Sequence, residues 1–535
     1  MARTPLLRAI RRQARNLGAA RSAEGLPGPR AEGATGPAMS RRGFLAGAGG
    51  LLAASAIPGT AWAAPRNRRV AIVGGGISGL ACALHLQDHG IPATVYEASP
   101  RLGGRMFSLS GYWQDGQVSE WCGELIDTGH RTIRGLAHRF RLPVDALLEA
   151  QPEGSEDTFH FGGTHYPKSA FIADMDPVLA AVAADLKASG YPTTHDSNTA
   201  AGRALDAMSV RAWIQSRVPG GVGSPLGKLL DVAYAIEYGA DTTDQSALNL
   251  VYLLAYQPDP HEPAVFGESD EAYHIRGGNE TLPRAIADHL GPDRFRMGRK
   301  LTALRKSAGE YQLAFQTTAG KAETVAADSV VLALPFSVLR EVDLSQAGFD
   351  ALKKKAIGEL GDGRNAKTQL QFGARIWNGT GAWPGISTGS SYSDTGYQSG
   401  WETTRAQGGA SGILNFYSGG AVTLAQQSKQ PFSTAGNPQS RLDAEIALAA
   451  GEPVFPGLSA EWNGRLSQSI PHLHPLMRAS YAYYRVGQYT AFGGHEGAPQ
   501  GQVFFAGDHT SRDFQGFMEG AASEGERAAK EVLAT

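Results

Sequence analysis

The sequence predicts an α/β protein in which a parallel-sheet domain of the dinucleotide-binding type is assembled from three separated segments and joined to a second, α+β domain. Three observations carry this. Arg69-Val70-Ala71-Ile72-Val73 is a short β-branched run that breaks at Gly74-Gly75-Gly76-Ile77-Ser78-Gly79, after which Leu80, Ala83, Leu84 and Leu86 recur at helical spacing. A second run, Ser329 to Leu334, is stopped by Pro335. Near the end, Val503-Phe504-Phe505-Ala506 runs into Gly507-Asp508, and Gly520 to Leu533 reads as a closing helix.

The first unit justifies the class best. Gly90 ends the helix where a left-handed cap is wanted, and Ala93-Thr94-Val95-Tyr96-Glu97 resumes an extended pattern, which completes a βαβ unit of Rossmann type. Gly74-x-Gly76-x-x-Gly79 permits a tight turn, lets backbone approach a pyrophosphate and packs helix on sheet. Such a motif alone is weak. Glu97, at the end of the second strand, strengthens it, because a carboxylate there can accept ribose hydroxyl protons, which an ordinary Gly-rich turn does not need. The segments 68–120, 268–342 and 478–535 are assigned to this cofactor domain, and 121–267 and 343–477, with Trp, Tyr, Pro and Gly in irregular patterns, to the substrate-binding domain.

Composition narrows the chemistry. At 535 residues the chain exceeds the roughly 250–300 at which one core stops growing, so two intimately built domains are expected. Net charge is -2 with 19% charged residues, and no block of like charge follows residue 70, so a nucleic-acid stripe is not expected and a small molecule is the natural partner. Cys82 and Cys122 leave room for one bridge but exclude a disulfide framework and a Cys-rich metal site. His472 and His474 have no matching carboxylate or Cys cluster, so metal catalysis is not expected. Redox chemistry would then rest on an organic cofactor. A homodimer stays open.

The N-terminus reads as a separate object. Residues 1–38 are rich in Arg, Gly and Pro and too poor in large apolar side chains to bury a core, so a disordered basic extension is expected. Residues 39–63 carry Ser40-Arg41-Arg42-Gly43-Phe44-Leu45, an apolar Gly/Ala-rich run to Ile57, and Ala61-Trp62-Ala63 with the small-x-small pattern of a cleavage site. This resembles a twin-arginine export signal and implies a periplasmic or extracellular protein. An uncleaved anchor fits less well, because the run is glycine-rich, holds Pro58 and falls short of the ~20 strongly apolar residues of a spanning helix.

Downstream of the second strand lie Arg101-Leu102-Gly103-Gly104-Arg105, Gly123-Glu124-Leu125-Ile126-Asp127, Arg276-Gly277-Gly278-Asn279, Asn365-Ala366-Lys367, and Phe505-Ala506-Gly507-Asp508-His509-Thr510 followed by Gly516-Phe517-Met518-Glu519-Gly520. In these segments the chain resembles the flavin-containing amine oxidase superfamily. It implies FAD, with the Rossmann-type FAD-binding domain in three segments. Gly74, Gly76, Ser78, Gly79, Glu97, Gly104, Arg105, Leu301, Gly507, Asp508, Phe517 and Met518 would then meet the cofactor. Asp508 stands where the family more commonly has Glu. Ser480 lies near where covalently flavinylated relatives carry cysteine, which implies noncovalent FAD.

The same resemblance assigns roles. Lys367 matches the lysine that holds a water near flavin N5, whereas a lone strand lysine would by default face solvent. Phe517 and Tyr481 match an aromatic pair that desolvates an amine, core packing being the alternative for Tyr481. The implied reaction is oxidation of an amine C–N bond to an imine, with O2 reduced to H2O2 and the imine hydrolysed to a carbonyl and ammonia. L-Amino acid oxidation is the alternative; it needs an arginine for the α-carboxylate, which Arg478 or Arg131 could supply. Glu124 could instead hold a distal substrate cation. A flavin dehydrogenase with another acceptor, and a non-catalytic FAD-binding escort, complete the alternatives.

Overall fold

Val70–Val73, buried along its whole length, can lie only inside a sheet covered on both faces. It pairs in parallel with Ala93–Glu97 on one side and Ser329–Leu332 on the other. Phe295–Met297 and Val503–Phe505 complete a five-stranded parallel sheet in the order 503–505, 329–332, 70–73, 93–97, 295–297. All five strands come from the three segments assigned to the cofactor. The strand begun at Ser329 ends at Leu332, two residues before the sequence pattern does. A computed structural model describes residues 68–259 and 261–535, so the basic extension and the twin-arginine segment lie outside the described residues.

The helix Ile77–Asp88 covers one face of this sheet, and Met518–Leu533 packs across it. Their close approach depends on Gly525, where a Cβ would sit 2.2 Å from the Ser78 carbonyl oxygen. On the other face lies an antiparallel meander, Arg299–Ser307, Glu310–Thr317 and Ala322–Ala327, with Phe315 stacked on Tyr96 at 4.7 Å.

The second sheet has eight strands, in the order 432–434, 462–469, 365–372, 412–419, 399–402, 387–393, 156–161, 164–166. All neighbours are antiparallel except Ser387–Ser393 with Glu156–Phe161. Asn365–Phe372 is buried on both faces. Its Leu370 and Phe372 side enters an apolar core, while Gln369 and Gln371 turn the other way and hydrogen-bond Glu120 O and Gln117 Oε1, as buried amides must. The alternating pattern around Lys367 therefore marks a polar face that is buried against protein instead of exposed.

The stretch 121–267, irregular in sequence pattern, is largely helical: Lys168–Ser189, Ala200–Asp206, Val210–Arg217, Pro225–Tyr238 and Ala247–Leu254. Thr199, Ser209, Ser224 and Ser246 each cap one of them by accepting an N–H of its first turn. Their apolar faces share one core around Trp213 and Tyr234. Cys82 and Cys122 are free thiols, so the bridge the sequence leaves open is not formed.

Candidate active site

A cavity of about 570 Å³ opens where the parallel sheet ends and runs on between the large sheet and the helices. Its dinucleotide end is built by glycine. Gly74 has φ +108°, and a Cβ there would strike Ala333 O at 2.4 Å; a Cβ on Gly79 would lie 2.0 Å from Gly74 O. Only glycine closes this turn. Gly76, by contrast, faces open cavity, with Gly104 Cα the nearest atom at 3.9 Å from a built Cβ. The helix that follows has no side-chain cap and no acid in its first turn, so its leading N–H groups and positive end are left for an anion.

Glu97 is fixed by two backbone donors, Gly75 N at 2.6 Å and Ser99 N at 2.7 Å, and lines the cavity with lone pairs left to accept hydroxyl protons. Arg105 is paired with Asp508, itself buried, and donates to Ser480 O at 2.5 Å, which ties the Gly103-Gly104-Arg105 turn to the terminal segment. Leu301, Gly507, Phe517 and Met518 line the same space. Buried Ser78 Oγ and both ring nitrogens of His509 lack a partner among the described residues, although each residue faces the cavity. Orphaned donors and acceptors beside an open phosphate cradle are what a bound dinucleotide would satisfy, so the residues present fit FAD.

At the other end Lys367 and Glu124 meet. Lys367 Nζ donates to Glu124 Oε2 at 2.5 Å, Trp401 Nε1 donates to Oε1 at 2.9 Å, and the Trp401 ring lies 5.5 Å from Nζ. Burial pushes the Glu124 pKa up, but the Lys367 charge and the two hydrogen bonds outweigh it and hold the carboxyl below its usual range. The loop that carries Glu124 is stapled by Asn279, whose Nδ2 donates to Glu124 O at 2.6 Å and Gly123 O at 3.0 Å. This is the work of the Arg276 to Asn279 motif. Tyr481 also lines the cavity; its hydroxyl donates to Ile236 O at 2.8 Å and lies 3.2 Å from Tyr417 OH. The Phe517 ring stands edge-on to His130 at 5.2 Å.

Two expectations need correction. Arg478 does not line the cavity: it has φ +60° and forms an exposed ion pair with Glu341 at 3.0 Å. Arg131 is exposed at the start of the helix Arg131–Arg139. Neither is placed to read a carboxylate in the cavity. Glu124 is not a free carboxylate awaiting a substrate cation, because both its oxygens are taken, by Lys367 and Trp401.

The structure adds residues that sequence reasoning missed. Trp401, Tyr417, Tyr392, Glu237 and Glu271 line the cavity from strands and helices far apart in the chain, and no motif marks them. Glu519 is a further surprise: both oxygens accept from Thr132 N and one also from Ile133 N, which caps the helix Arg131–Arg139 from the terminal segment. Among the described residues no group of three His, Cys, Asp or Glu could hold a metal ion.

The family model described as flavin containing amine oxidoreductase matches residues 77–533. An L-amino acid dehydrogenase from Synechocystis sp. is 24% identical over 86% of this chain and 94% of its own. Polyamine oxidase 1 from Zea mays is 23% identical over 90% of this chain and 94% of its own. Among solved structures, cyclohexylamine oxidase from Brevibacterium oxydans superposes with a TM-score of 0.72 at 19% identity, covering 87% of this chain and 99% of that one.

Proposed function

Because this chain belongs to the flavin containing amine oxidoreductase family, we propose that it is an oxidase that converts an amine C–N bond to an imine, which water hydrolyses to a carbonyl and ammonia. Bound FAD supplies the electron acceptor, and O2 the final one, leaving H2O2. The glycine turn, Glu97, the Arg105–Asp508 pair, Ser78 and His509 hold the cofactor, without a covalent bond, since Ser480 stands where a cysteine would be needed and its Oγ donates to Asn365 Oδ1 at 2.6 Å.

The observation that carries the reading is the buried Lys367–Glu124 pair at the aromatic end of the cavity. A fixed ammonium there stabilises negative charge that develops beside it and orders a water, and Glu124 and Trp401 keep it in place. Tyr481, Tyr417, Trp401 and Phe517 exclude bulk water and favour the neutral amine. An escort protein would need no such pair.

L-Amino acid oxidation is the second reading, favoured by the Synechocystis relative. Against it, the cavity arginines are engaged elsewhere: Arg105 with Asp508, Arg299 with Glu323, and Arg101 with carbonyls of its own loop. Peroxide release from FAD-loaded protein, offered monoamines, polyamines and L-amino acids, with anaerobic flavin bleaching followed in parallel, tests both. Peroxide with amines but not with L-amino acids is expected. The reverse pattern would overturn the amine reading, and bleaching without peroxide would mean a dehydrogenase. We further propose export through the twin-arginine pathway to the periplasm or beyond, supported by Arg41-Arg42 and the Ala61-Trp62-Ala63 site. Replacing both arginines with lysine should leave the protein in the cytoplasm; unchanged export would refute it.

A further inference from the structure

Two carboxylates in the cavity have no task in the chemistry above. Glu237 lies in the last turn of the helix Pro225–Tyr238, and Glu271 in the loop before Tyr273–Ile275; both line the cavity. Neither carboxylate has a hydrogen-bond or ion-pair partner among the described residues, unlike Glu124, which has two. They share one cavity wall, and the Asp127 charge reaches both.

The charges around them are mostly negative. Among the described residues Asp127 is the charge that acts on Glu237, and the helix C-terminus adds a further negative dipole end. Glu271 faces Asp127, Glu237 and Asp157, opposed by Arg405, which is buried outside the lining with its Nε on Glu402 O. Burial, with these like charges, pushes Glu237 up to about 7 and Glu271 up to about 8. Glu271 also holds a left-handed backbone, φ +48°, pinned by its N–H on Asp127 Oδ1 at 3.0 Å. A non-glycine residue in that region is strained, and such strain gathers at functional sites. Tyr417 lines the same cavity as Glu237, Glu271 and Glu124.

From this we infer that Glu237 and Glu271 form a cation subsite that selects amines carrying a second protonated nitrogen, namely α,ω-diamines and polyamines. One nitrogen is held as an ammonium between the two carboxylates, and the other reaches the aromatic end beside Lys367 as the group oxidised. A monoamine leaves the carboxylates unpaired, and an α-amino acid brings a third negative charge toward them. The inference rests on the amine oxidation proposed above and names its substrate.

The test is titration calorimetry of the FAD-loaded protein, under nitrogen, with 1,4-diaminobutane and 1,5-diaminopentane against butylamine and pentylamine. Flavin bleaching is read in the same samples. The diamines should bind on the order of 30-fold more tightly than monoamines of equal length. Glu237→Gln and Glu271→Gln should each remove about 10-fold of that preference and leave butylamine affinity and the flavin spectrum unchanged. Equal affinity for both series in the unaltered protein, or a preference that survives the double substitution, would overturn the subsite. Absence of bleaching with every amine would instead overturn amine oxidation, while a calorimetric preference for diamines would still support the subsite.

Discussion

Replacing Lys367 with Met strands Glu124 in the wall of the cavity. The pair is almost wholly buried, its side chains 8% and 4% exposed. An unpaired carboxylate so placed escapes by taking a proton, and from its ordinary value of 4.5 that costs about 3.4 kcal/mol at pH 7, at about 1.36 kcal/mol per unit. The expected loss of stability at pH 7 is therefore about 3 kcal/mol. Glu124→Gln strands the ammonium instead and should lose a similar ~3 kcal/mol, less what the Trp401 ring returns. With both replaced no charge is stranded, and the double variant should lie within about 1 kcal/mol of the parent. In the parent the lowered Glu124 pKa gives a contribution that is full above 4.5 and lost only as pH falls through the lowered value, so it is constant from pH 7 to pH 5. In the Met variant the stranded carboxyl carries a proton in the fold, and the cost of that proton falls from about 3.4 kcal/mol at pH 7 to about 0.7 kcal/mol at pH 5, so the Lys367→Met penalty should shrink over that range. Urea unfolding of the four proteins at fixed FAD, at both pH values, measures the cycle. Additive single penalties, or a Lys367→Met penalty that ignores pH, would refute a coupled buried pair.

Other consequences are simpler to read. In stopped flow, Lys367→Met should slow flavin reoxidation by O2 at least ~10-fold more than flavin reduction by amine, and equal effects would remove the lysine from the oxygen step. Gly79→Ala drives a methyl into the Gly74 carbonyl, so the purified protein should show little or no 450 nm flavin absorbance; a normal ratio to protein absorbance would mean the turn can open without loss. Glu237 and Glu271 have raised pKa values in the fold, so the stability they give is full below 4.5 and lost as pH rises through about 7 to 8. Cofactor-loaded protein should lose melting temperature over that window, Glu237→Gln should flatten the loss, and a diamine should reverse it by pairing the charges that form.

The cofactor half was legible because phosphate binding is written locally. Strand, turn and helix lie within Val70–Asp88, and each glycine answers to a neighbour a few positions away or to the ligand itself. The pairing of Arg105 with Asp508 was not legible, although each was singled out, because nothing in either segment states which partner lies opposite. The helices between 168 and 254 hid behind Trp, Tyr and Pro in a mixed pattern, yet Thr199, Ser209, Ser224 and Ser246 mark four of their starts. Arg478 misled because an arginine near a motif says nothing of which way it points. Glu237 and Glu271 were invisible for a different reason: a carboxylate without a partner has meaning only once the cavity around it is known.

The parallel sheet alternates early and late chain: its central strand 70–73 is flanked by 329–332, and 503–505 closes the row. The helix Ile77–Asp88 is packed by the C-terminal one, Met518–Leu533. A nascent chain on the ribosome thus carries the phosphate turn hundreds of residues before the strand and helix that seal it are synthesised. Flavin capture is therefore an event of the finished polypeptide, and a chain cut short anywhere before residue 503 would leave the glycine turn made but unable to retain what it binds.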